Sequence, residues 1–133
     1  MYTFLPIIDS LSRPDCVGDL IKNIGLMRRK SGERYIVEEP GGMRDGWIAI
    51  QPVDIEMGCY RKDEIDRLKE RVSDPCFILV EGRDGGMEFS TKFVLGLSDP
   101  ETVLLDNDHG IIEDAKKIKE RILYGLEWLS ASS

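Results

Sequence analysis

A chain of 133 residues has the length of a single domain, and a fold of that size buries roughly two-thirds of its unfolded surface, enough for one core. With 41% apolar and 32% charged residues, and no run near the roughly 20 apolar residues of a membrane helix, the composition excludes disorder and a helical membrane span. Lys plus Arg number 18 and Asp plus Glu 25, a net charge of −7 that argues against a duplex-phosphate binder, which needs a basic face, disfavours acidic partners and allows basic ones.

Tyr2 to Ile8 is rich in aromatic and β-branched residues and reads as a short strand, with Pro6 placing it at a sheet edge. Asp15 to Ile24 carries Val17, Leu20, Ile21 and Ile24 at helical spacing, which predicts an amphipathic helix ending near Gly25. The basic group Arg28, Arg29, Lys30 and Arg34 reads as a solvated connection, because it has almost no interleaved aromatics. Arg34 to Glu39 and Trp47 to Ile55 are β-prone and flank a loop dense in Gly and Pro, so they predict an antiparallel hairpin. Pro52 requires either a bulge or an unpaired side at that point.

Arg61 to Val72 places Ile65, Leu68 and Val72 on one face and predicts a surface helix, stopped by Asp74-Pro75. Cys76 to Val80 is a continuous apolar run of strand length, expected to be covered on both faces. Gly85 to Leu97 reads as a helix through Phe89, Phe93 and Leu97, and Thr102 to Asp106 as a second buried strand. The strongest helical stripe, Ala115, Ile118, Ile122, Leu126 and Leu129, predicts a helix over Glu113 to Leu129. The expectation is a single α+β domain over residues 1–133, with one mixed sheet, an antiparallel hairpin and one strand-helix-strand unit, covered by three to four helices.

The densest polar cluster is Asp106-Asn107-Asp108-His109-Gly110, at the end of an apolar strand. Asp-x-Asp after a strand matches the outline of haloacid-dehalogenase-type phosphatases, but only 23 residues follow Gly110, too few for the Lys and second acidic pair of such a site. The nucleotide-binding half of Asp-x-Asp sugar transferases has no counterpart upstream. A calcium loop starting at Asp106 fails at Ile111 and Lys117, where Gly and Glu are needed. His109 is the single histidine and no Gly-x-Ser-x-Gly elbow occurs, which leaves neither a His-rich zinc site nor a serine triad. Gly82-Arg83-Asp84-Gly85-Gly86 fits no phosphate-loop spacing and reads as a strand-to-helix turn with Asp84 as N-cap. The bland reading of the Asp106 cluster is a turn, since Asp and Asn bond their own backbone where a chain reverses.

Cys16, Cys59 and Cys76 are an odd set without two-residue spacing, which reads as reduced thiols. No basic n-region precedes the short apolar stretch Met1 to Ile8, so the expected compartment is the cytoplasm.

Val103 to Gly110, followed by an amphipathic helix and preceded by a strand ending Glu81-Gly82-Arg83-Asp84, resembles small bacterial proteins of toxin–immunity loci over residues 76–129. The resemblance implies a non-enzymatic inhibitor of one cognate toxin, without a cofactor, and transfers no functional residues. The residues themselves suggest where a partner would bind. If strands 76–80 and 102–105 are parallel neighbours, their carboxyl ends share a sheet edge, which gathers Glu81, Arg83, Asp84, Asp106, Asp108 and His109 into one polar rim. The alternative use of that rim is a metal-dependent hydrolase or small-ligand site built on Asp106 and Asp108.

Overall fold

The computed structural model describes residues 2–9, 27–31, 34–38, 47–55, 57–83, 88–97, 102–108 and 110–129. Among them, seven strands form one sheet: β1 (Tyr2–Asp9), β2 (Met27–Ser31), β3 (Arg34–Glu38), β4 (Trp47–Val53), β5 (Pro75–Arg83), β6 (Leu104–Asp106) and β7 (Ile112–Asp114). The helices are α1 (Lys62–Arg71), α2 (Glu88–Leu95) and α3 (Ala115–Leu123). The strand order is β2-β3-β4-β5-β1-β6-β7, and every pairing is antiparallel. The fold is α+β, and no helix among the described residues is long and apolar enough to cross a membrane.

Strand side chains alternate between faces, and each face has its own apolar cluster. On one face Phe4, Ile8, Ile48, Ile50, Ile78 and Val80 of the sheet pack with Phe93 and Val94 of α2, Ala115 and Ile118 of α3, and Trp128 and Leu129. Phe4 lies at the centre, with Phe93 edge-on at 5.7 Å and Trp128 edge-on at 5.1 Å between ring centroids. On the other face Ile7, Phe77, Leu104 and Ile112 receive Leu68 of α1 and the following Val72. Fully burying each such side chain is worth roughly 1.5–3 kcal/mol, so β5, which feeds both clusters, is apolar throughout its middle.

Several expectations change. The sheet is not mixed: β5 and β6 run in the same direction, but β1 lies between them and pairs antiparallel with both. β1 is therefore an inner strand rather than an edge, because Phe4 and Ile8 supply one cluster while Ile7 supplies the other. Pro6 is tolerated at a local cost in pairing, since the β1–β5 register runs through Tyr2, Thr3 and Phe4, omits Leu5 and Pro6, and resumes at Ile7. Pro52 needs no bulge. The β3–β4 pairing covers only Trp47 to Ile50, so Pro52 lies beyond the end of β3 while facing Ile78 of β5.

The basic stretch expected as a connection is instead β2, paired with β3 from Met27↔Glu38 to Ser31↔Arg34. Strands β3 and β4 form the expected hairpin, and α1 matches its expected span. The helix predicted over Asp15 to Ile24 lies outside the described residues. The last helix ends at Leu123 instead of Leu129. Gly125 adopts φ 74°, its N–H donates to the Ile122 carbonyl at 2.9 Å, and the Leu126 N–H donates to the Arg121 carbonyl at 3.0 Å. These are the paired bonds of a Schellman cap, which stops a helix whatever apolar stripe follows.

Gly82 stands opposite Tyr2 across β1 and β5, and a Cβ there would fall 2.0 Å from the Tyr2 ring. An aromatic ring laid over a strand glycine compensates for its missing side chain. Gly82→Ala is expected to destabilise the fold by about 1–3 kcal/mol through overpacking. In a Tyr2→Ala background most of that loss should vanish in a urea-denaturation double-mutant cycle; equal losses in both backgrounds would show that the ring is not the obstacle.

Candidate functional site

The segment Asp106 to Ile111 links β6 to β7, and its three consecutive polar residues have different surroundings. Asp106 is the last residue of β6 and is 8% exposed. Its Oδ1 accepts the Asp108 backbone N–H at 2.8 Å, an Asx turn, and its Oδ2 accepts the Tyr60 hydroxyl at 2.9 Å. Tyr60 precedes α1 and stacks on Phe77 with ring centroids 6.0 Å apart. Burial pushes the Asp106 carboxyl above its ordinary value; the bonds from Asp108 and Tyr60 work against that, and the nearby charges of Asp108 and Glu64 add to it. The Tyr60 phenol is pushed up as well, first by its own burial and then by the Asp106 charge.

Asn107 is 1% exposed, and its backbone N–H and both side-chain polar atoms are engaged. Its backbone N–H donates to the Ile111 carbonyl at 3.0 Å, its side-chain Oδ1 accepts the Ile111 N–H at 3.0 Å, and its Nδ2 donates to the Trp128 carbonyl at 2.6 Å. One amide thereby closes the turn and holds the C-terminal segment that puts Trp128 against Phe4. Asp108 is exposed, with φ 63°, a left-handed conformation that Asp tolerates better than most residues. Its Oδ2 accepts the Thr3 hydroxyl at 3.0 Å, and Thr3 stands in register with Glu81.

The expected rim is thus partly assembled. Glu81 and Asp108 come to the same end of the sheet, with Thr3 of β1 linking them where direct strand adjacency had been expected. Arg83 ends β5 in register with Trp47, while Asp84 and His109 lie outside the described residues. Asp106 contributes from beneath, because both of its oxygens accept hydrogen bonds from within the protein. Tyr60, Thr3 and the Trp128 carbonyl belong to this site without any sequence signal, since each reaches it across the fold. The Asx-prone sequence Asp-Asn-Asp, by contrast, is a signal for the turn itself.

Among the described residues, no group of three or more His, Cys, Asp or Glu side chains converges to hold a metal ion. Asp106 and Asp108 meet through a backbone N–H, which builds a rigid turn. No family model matches the chain, and no curated protein or solved structure matches it either.

Two substitutions test this account. Asn107→Ala is expected to cost about 1–3 kcal/mol for each of the two partners left unpaired, Ile111 N–H and Trp128 carbonyl. Asn107→Asp should cost more at neutral pH, because a carboxylate would face the Trp128 carbonyl, and should recover as pH falls and a protonated acid can donate. Denaturation curves at two pH values check both. For Asp106 the folded pKa is raised, so protonation favours the native state. That contribution is complete below the ordinary carboxylate value and is lost as pH rises through the raised one. Relative to Asp106→Asn, which has no such proton, the natural protein is expected to gain stability as pH is lowered into that range. A difference that stays flat with pH, or slopes the other way, would contradict the raised value.

Proposed function

We propose that this protein is a non-enzymatic binding protein that neutralises a basic protein partner, in the manner of a bacterial immunity protein acting on its cognate toxin in the cytoplasm. The observation that carries the reading is the state of the Asp-x-Asp pair. Asp106 is buried with both oxygens occupied by hydrogen bonds from within the protein, a poor arrangement for a nucleophile or metal ligand, whereas Asp108 is exposed at the tip of the turn. An exposed Asp108 with the half-buried Glu81 at the same end of the sheet, in a chain of net charge −7, favours recognition by charge complementarity, which speeds association and sets register more than it adds affinity. Arg83, Asp84 and His109 adjoin those residues in sequence and take part in the same contact in this reading. The N-terminal and β2–β4 elements serve as its scaffold in this reading.

The test is co-expression with the product of the gene beside this chain's own. Growth inhibition by that product should be relieved by the natural protein, and equally by Asp106→Asn, because Asp106 works from beneath the surface. The purified pair should also bind less tightly as salt is raised. Failure to relieve inhibition or to form a complex would overturn the proposal. Loss of protection on Asp106→Asn with an unchanged unfolding curve would transfer the case to carboxylate chemistry.

A further inference from the structure

A groove of about 1010 Å³ lies between α1 and α3, open to solvent, with Gly110 and Ile111 among its lining residues. Two features set its chemistry. The first is apolar: Tyr124 is 82% exposed and Leu126 56% exposed, and both line the groove where α3 ends. For Leu126 the cause of this exposure is the Schellman cap at Gly125, which turns the chain away from the helical stripe on which Leu126 would otherwise continue.

The second is an imbalance of available charge. Each cation lining the groove is already engaged: Arg61 with Asp63 and Glu64, Arg67 and Lys117 with Glu113, and Arg121 with the Glu127 carbonyl. Asp66, Glu70 and Glu120 line it too, are exposed, and have no ion-pair partner among the described residues. A ligand entering the groove therefore meets uncompensated negative charge beside two exposed apolar side chains.

We infer that the groove between α1 and α3 is a docking surface for a basic amphipathic helix of a partner protein, its apolar face on Tyr124 and Leu126 and its cations toward Asp66, Glu70 and Glu120. A groove lined on both sides by helices suits a helix laid into it. A second copy of this acidic chain is disfavoured by the same charge. The inference rests on the proposed binding of a basic partner and names a surface for it.

The experiment measures binding of a labelled synthetic helix of leucine and lysine, with all leucines on one face, and of a control in which serine replaces leucine. The natural protein should bind the first more tightly. Tyr124→Ser with Leu126→Ser, and separately Asp66→Asn with Glu70→Gln and Glu120→Gln, should each weaken it about tenfold. The second set should also flatten its salt dependence. All five positions are exposed, so unfolding curves should stay close to the natural protein's. Binding reduced only by Glu81→Gln with Asp108→Asn would overturn the groove and leave the basic-partner reading standing. No binding of either peptide would overturn the groove, with the broader reading decided separately by the co-expression assay. A natural protein that sediments as a dimer, and as a monomer after Tyr124→Ser with Leu126→Ser, would assign the surface to a second copy and overturn the inference.

Discussion

The insertion of β1 between β5 and β6 is the constraint on which the rest of the molecule depends. With that strand in place, two strands that run the same way never touch, and the sheet can be antiparallel throughout. The same eight residues supply Phe4 to one core and Ile7 to the other. They lay Tyr2 over Gly82 and bring the Thr3 hydroxyl to Asp108. A centre strand that serves both cores must be apolar on both sides, and here that need outweighs the missing donor of Pro6.

How much of this was legible follows from where the information lies. Cys76 to Val80 could be read as a strand buried on two faces because the run itself is uninterrupted by polar residues, and α1 because its stripe and its stop signal lie within a few residues of each other. β2 could not: Met-Arg-Arg-Lys-Ser has no alternation, and its strand character comes from the β3 partner. The last helix misled because Leu126 and Leu129 continue a helical period that Gly125 has already ended. For the site, the turn at Asp106 to Asp108 was legible in local chemistry. Its supports were not, since Tyr60 lies 46 residues away and Thr3 lies 105 residues away along the chain.

Three neighbouring polar residues illustrate how burial assigns work. Asp106 faces inward and holds the turn, Asn107 joins that turn to the C-terminal segment, and only Asp108 meets solvent. A sequence pattern that resembles a reactive pair is in this fold a brace with one exposed tip. The groove beside it owes its character to a similar division, in which the cations close contacts within the chain and some carboxylates do not.

The border of the sheet at β7 has a consequence for how copies of this chain meet one another. Among the described strands β7 stands at one end of the order, and a strand in that place presents unpaired N–H and C=O groups that could template a strand of another copy. Strand β7 is a poor template. It is three residues long, and its two carboxylates are held by Arg67, Lys117 and Arg71 of the same chain. Ion pairs that add little to folding at a surface thus keep charged side chains fixed along a border where a second copy would have to pair.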